Sequence, residues 1–192
     1  LALKSMQNKD LQSHTGYLLI ELMVAMTVFT IGFLAVMGLT AHAVSTTRVI
    51  TDSFTANYLA MEGIEIIKSF LDENALSPGP WNQGFNNEQC YALDYTGDRR
   101  TVNPCPPPGF LPSVLSGPDL VRSHLKYIIP TGFYDHQGSP LSQDSPFYRV
   151  VHIVPEPSPS PRYLRVESIV AWVGRGGAEL EVKIEDYFFD QK

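Results

Sequence analysis

Glu21 is the residue of this 192-residue chain most in need of a chemical reason. It stands within "SHTGYLLIELMVAMTVF", Ser13 to Phe29, as the one acid in a stretch otherwise suited to lipid. An acid in a membrane helix is a functional site by default and calls for a cationic partner. No lysine or arginine in the segment can serve. Gly16, where the polar leader stops, is the second residue of interest. Glu62 and Glu65 have the spacing of a carboxylate pair, but on an amphipathic helix two acids three residues apart read as a solvated face. Cys90 and Cys105 lack metal-type spacing and have no companion Cys or His cluster. The five histidines, His14, His42, His124, His136 and His152, form no H-E-x-x-H pattern. "GRGGAEL" lacks the lysine of a phosphate loop, no G-x-S-x-G turn occurs, and "DYTGD" (Asp94 to Asp98) reads as a plain turn rather than a calcium loop. No catalytic residue, metal ligand or cofactor-binding residue is therefore assigned, and the chain reads as a non-enzyme.

The element that positions Glu21 is an apolar helix. From Leu22 to Leu39, eighteen residues carry no charge, close to the roughly 20 that a span requires. Twelve Leu, Ile, Phe or Val residues lie between Leu18 and Leu39. They favour insertion by about 4 to 7 kcal/mol, against roughly 2.5 to 3.5 kcal/mol for an acid even at mid-bilayer. Insertion wins. Lys4 and Lys9 precede the span and no basic residue follows before Arg48, which keeps the N-terminus cytoplasmic and exports the remainder. A secretory signal has a shorter apolar core and a small-residue site after it, whereas Gly16 precedes the run. The sequence opens at Leu1 rather than a methionine, so the leader is either a fragment or begins at Met6.

Length allows one domain plus an appendage, and 44% hydrophobic residues can fill a core. A net charge of −6, with Arg99-Arg100 as the longest basic run, gives no electrostatic case for nucleic acid.

"Gly-Tyr-Leu-Leu-Ile-Glu-Leu", Gly16 to Leu22, followed by one long apolar run, resembles the N-terminus of type IV prepilins and pseudopilins. The resemblance implies that a prepilin peptidase cuts between Gly16 and Tyr17 and methylates the new amine of Tyr17. It also implies that Glu21 pairs with that amine during subunit docking. An unpaired acid in low dielectric is costly, so pairing aligns subunits. Tyr17 replaces the phenylalanine usual after the cut, and Gly38 stands where many members carry proline. With Gly32 it marks where the helix could loosen inside a filament, since glycine weakens a helix by roughly 1 kcal/mol. "ANYLAMEGIEIIKSFLDEN", Ala56 to Asn74, resembles minor pilins of the PilV-like kind, which adds a filament-facing role as a reading of Glu62 and Glu65.

After the span the helix turns amphipathic and runs to "SPGPWNQG" at Ser77. Val49, Ala56, Ala60, Ile64, Ile67 and Leu71 share one face, and Ile50, Phe54 and Met61 form a second apolar group. At 1.5 Å per residue, Tyr17 to Leu71 spans roughly 80 Å. In the head, "CYALDY" (Cys90 to Tyr95), "LKYIIP" (Leu125 to Pro130), "FYRVVHIV" (Phe147 to Val154), "YLRVESIVAWV" (Tyr163 to Val173) and "AELEVKIEDYFF" (Ala178 to Phe189) read as strands. Leu180, Val182 and Ile184 alternate with Glu179, Glu181, Lys183 and Glu185, the pattern of a sheet with one buried and one wet face. "NPCPPPGF" and "PEPSPSP" read as loops, and "GRGG" as a turn.

The expected fold is α+β: a leader at 1–16, a membrane or filament-core helix at 17–40, its amphipathic half at 41–76, and a head at 77–192. Export makes a Cys90–Cys105 disulfide the expected state, contributing roughly 3 kcal/mol by loop-closure entropy. It is not the C-terminal loop that many pilins enclose. The resemblance implies a single-pass inner-membrane precursor with an exported head, then a surface pilus or periplasmic pseudopilus. Its partners would be prepilin peptidase, other pilin subunits, a membrane assembly platform and inner-membrane lipid. A filament-tip adhesin, or a pseudopilin of secretion or DNA uptake, is the alternative.

Overall fold

The structure, a computed structural model, describes residues 2–97, 99–102, 105, 122–157, 161–174 and 177–190, with side chains from Tyr17 onward. The architecture is α+β. A single N-terminal helix, α1 (Ala2–Leu76), precedes seven described strands: β1 (Gln89–Leu93), β2 (Arg99–Val102), β3 (His124–Ile128), β4 (Tyr134–Asp135), β5 (Ser142–Glu156), β6 (Tyr163–Val173) and β7 (Glu179–Phe189). The chain divides into two compact units, Leu1–Ile50 and Thr51–Lys192.

The described part of the first unit is helix throughout. Its large apolar side chains from Tyr17 to Leu39 are each between 54% and 73% exposed, on every side of the helix. Water would not tolerate so large a continuous apolar surface, and lipid or packed helices would. The threonines fit that setting: Thr27, Thr30 and Thr40 turn their hydroxyls back to the carbonyls of Val24, Met26 and Val36, at 2.8, 2.6 and 2.8 Å. The helix is continuous through Gly32 and Gly38, and a Cβ on either would meet nothing within 4 Å.

In the second unit α1 ends where Ser77-Pro78-Gly79-Pro80 breaks it. The last turn closes through Ser77 N–H donating to the Asn74 carbonyl at 3.1 Å. The sheet is antiparallel and centred on β5. Along one edge β6 pairs with it from Phe147–Trp172 to Glu156–Tyr163, and β7 pairs with β6. Along the other edge lie β1, with β2 outside it, and β3, with β4 outside it. One row of each inner strand faces the helix: Tyr91 and Leu93; Phe147, Val151 and Ile153; Leu164, Val166, Val170 and Trp172. These pack on Ala56, Leu59, Ala60, Ile64, Ile67 and Leu71. Helix and sheet come close at Gly63, where a Cβ would run into the Ser168 hydroxyl and lie 3.1 Å from a Val151 methyl.

Several readings change. β5 begins at Ser142, earlier than expected, because its first part pairs with β3 rather than with the core strands. β2 and β4 carry no apolar alternation of their own and were invisible as strands. The face away from the helix is not simply wet: Cys90, Ala92, Val102, Val150, Ile169 and Ala171 are buried on it. The clean alternation belongs to β7, an outer strand, and does not extend to β1, β5 and β6, which are apolar on both faces. On α1, Ala56 to Leu71 is the core row as expected, whereas Val49 is exposed; Ile50, Phe54 and Met61 are at least half exposed. Apart from Cys105, "NPCPPPGF" lies outside the described residues, as do Ser158 to Ser160 of "PEPSPSP" and Arg175 and Gly176 of "GRGG".

Candidate functional site

Tyr17 and Glu21 lie four residues apart on α1, so they share one helix face one turn apart. Both are exposed, Tyr17 at 73%. Gly16 lies within the helical backbone just before them. Helix α1 carries the one stretch among the described residues long and apolar enough to cross a membrane.

Cys90 and Cys105 are joined by a disulfide, with Cα atoms 5.3 Å apart. Cys90 is buried on the sheet face away from the helix, and its cross-strand partner is His152. His152 lies between two acids. Its Nδ1 is 3.1 Å from Glu167 Oε2 and its Nε2 is 3.1 Å from Glu88 Oε1. Glu167 also accepts from Lys183 at 2.9 Å and from Arg165 at 2.5 Å. Burial pushes the Glu167 carboxyl up, but Lys183, His152 and Arg165 outweigh it and hold it below the ordinary range.

The carboxylate pair separates. Glu65 is exposed and lies 4.0 Å from Lys68. Glu62 turns inward, 3.3 Å from Arg149, whose side chain is wholly buried. The solvated reading therefore holds for Glu65 and only in part for Glu62, which is a third exposed and turned toward the guanidinium that the sheet places under the helix. Arg149 also donates to the carbonyls of Leu59 at 3.0 Å and Leu93 at 2.5 Å, tying α1 to β1. The signal for it was present: in "FYRVVHIV" Arg149 shares the inward parity of Phe147, Val151 and Ile153, and a buried arginine demands an acid. Arg99 of the basic run is spent similarly, over the rings of Phe70, Phe85 and Tyr91 at 5.9, 5.1 and 5.5 Å.

His136 is buried beside this group, with Nδ1 3.1 Å from the His124 carbonyl and Nε2 3.0 Å from the Leu93 carbonyl. Two carbonyls favour the imidazolium, but burial and the Arg149 guanidinium prevail and hold its pKa down at about 4. The unfolded imidazole titrates near 6.5, so as pH falls from about 6.5 to about 4 the unfolded chain takes up the proton first. At about 1.4 kcal/mol per unit, the head should lose about 3 kcal/mol over that window. His136→Gln should flatten that part of the stability–pH curve in denaturant titrations. An unchanged slope between the two proteins would contradict this.

No protein-family model, no curated protein and no solved structure matches this chain. In outline the architecture is nonetheless pilin-like: a long N-terminal helix, apolar in its first half, whose second half packs on an antiparallel sheet.

Proposed function

We propose that the chain is a structural subunit, of minor-pilin type, of a type IV pilus-like filament. It is made as a single-span precursor, cut between Gly16 and Tyr17 by a prepilin peptidase, and assembled through α1. The reading is structural, not catalytic. One observation carries it: an acid, Glu21, stands on a helix whose apolar surface is exposed on all sides for some two dozen residues and then continues into the cover of a folded head. A simple anchor needs no acid there; a docking helix does. The second apolar group, Ile50, Phe54 and Met61, is at least half exposed and available to neighbouring helices. Lipid, an assembly platform and other subunits are the partners this reading requires.

The test is processing. Co-expressed with a prepilin peptidase, the chain should lose its leader, giving a smaller product that begins at Tyr17 by N-terminal mass analysis. Gly16→Val should leave it uncut. Retention of the leader beside an active peptidase would overturn the proposal.

A ligand-binding head at the filament tip has one observation in its favour. Tyr95 and Phe133 stand exposed with ring centroids 5.1 Å apart, and Ile129 and Leu141 are exposed as well. Such a head would still require the processing step above.

A further inference from the structure

The surroundings of the disulfide contain more than a disulfide needs. A bond between Cys90 and Cys105 in an apolar cluster is satisfied by packing against Ala92, Val102 and Val150. Yet the sheet register sets His152 directly opposite Cys90, and one ligand atom from each of Cys90, Cys105 and His152 lies within 4.8 Å of the other two. Two sulfurs and an imidazole are the donors that zinc prefers.

The second layer is also in place. A metal-binding histidine usually gives its other ring nitrogen to a carboxylate, which fixes the tautomer and the ring orientation. Glu167 meets His152 at Nδ1 in this way and is itself held by Lys183 and Arg165. That leaves Nε2 directed outward, toward Glu88, whose side chain is 66% exposed and can swing to provide a fourth ligand.

We infer that the reduced head binds one divalent zinc ion through Cys90 Sγ, Cys105 Sγ, His152 Nε2 and a Glu88 carboxylate oxygen. The disulfide and the metal are alternative states of one site. Closing the disulfide takes two electrons from the two thiolates. A disulfide in the oxidising compartment that receives the exported head accepts them by thiol–disulfide exchange and, taking two protons from water, leaves as two thiols, and the zinc ion is released. A dithiol reverses the exchange. The site holds metal before oxidation and loses it when the disulfide locks, so metal binding reports the redox state of the head. The oxidation step rests on export of the head as proposed above; metal binding by the reduced chain does not, and neither depends on filament assembly.

The test uses the full chain in detergent, reduced with a phosphine under anaerobic conditions and titrated with cobalt(II) as a spectroscopic stand-in for zinc. One equivalent should give near-ultraviolet sulfur-to-cobalt charge-transfer bands and the visible bands of a tetrahedral ion, both erased by zinc. The oxidised chain should give neither. His152→Ala and Glu88→Gln should each weaken binding at least about tenfold, and Glu167→Gln by about 10- to 100-fold, the range for such supporting groups. Absence of charge-transfer bands in the reduced chain would overturn the inference. So would unchanged affinity in His152→Ala, with its fold checked by circular dichroism in the oxidised state. Should that variant not fold, Glu88→Gln, altered only at an exposed side chain, decides in the same way.

Discussion

Arg149→Ala should cost the head about 3 to 5 kcal/mol, the range for breaking a buried charge pair from one side. The guanidinium is wholly buried and serves three acceptors on two elements: the Leu59 carbonyl and Glu62 on α1, and the Leu93 carbonyl at the end of β1. Removing it leaves the Glu62 carboxylate facing the sheet without its cation, and strips the Leu93 carbonyl of one donor beside His136. The reverse change, Glu62→Gln, should cost less. Its side chain is a third exposed, so water can compensate in part, and a neutral amide can still accept from Arg149. The double variant Arg149→Ala with Glu62→Gln should lose less than the sum of the two single changes, because neither charge is then left alone. Denaturant titrations followed by tryptophan emission read this well. Both tryptophans, Trp81 and Trp172, belong to the head, and Trp172 is 2% exposed in the helix–sheet core. A loss under about 1 kcal/mol for Arg149→Ala would mean that the pair can be replaced by water or repacking, and the account of how α1 is fixed to the sheet would fail.

What was readable in the sequence was whatever local periodicity encodes. The apolar run and its acid, the row Ala56 to Leu71, and the alternation of β7 each declare themselves within a few turns or residues. Outer strands with no pattern do not: Arg99 to Val102 is two arginines, a threonine and a valine, and becomes a strand only because β1 offers it a partner. The same limit hid both polar clusters. Glu62, His136 and Arg149 come from three separate stretches of chain, and no spacing rule connects them. Cys90 and His152 also looked isolated, in two separate expected strands. They are neighbours because β1 lies antiparallel to β5 in one register; a slip of one residue would have placed Val151 or Ile153 opposite Cys90 instead. Parity is the exception, the one piece of long-range information that a single strand does carry. Arg149 shares its row with Phe147 and Val151, which already implied an inward charge seeking an acid.

Glu21→Ala should abolish incorporation into filaments while leaving leader cleavage and membrane level unchanged. The physical reason lies in what cleavage creates. On the proposed function, cutting after Gly16 would release a cationic amine on Tyr17, at the start of a helix whose exposed apolar flanks would be covered by those of other subunits. A charge buried there without a partner costs several kcal/mol, and the loss of about 3 to 5 kcal/mol at each docking step corresponds to roughly a hundredfold to several thousandfold fewer additions. Within its own chain Glu21 cannot be replaced by another acid of the span, since none occurs from Leu22 to Leu39. Glu21→Gln separates charge from shape. It keeps the side-chain length and one acceptor, so a docking site that needs only a hydrogen bond should retain assembly, whereas one that needs a negative charge should fail as fully as the alanine variant. We expect failure of both, measured as the fraction of subunit recovered in sheared filaments against the fraction remaining in membranes. Co-expressing the wild-type chain should rescue the variant only where its own amine is accepted by a wild-type Glu21, not where it must receive the next amine. Normal incorporation of Glu21→Ala would reduce the acid to a tolerated passenger of an anchor, and with it the case for a docking helix.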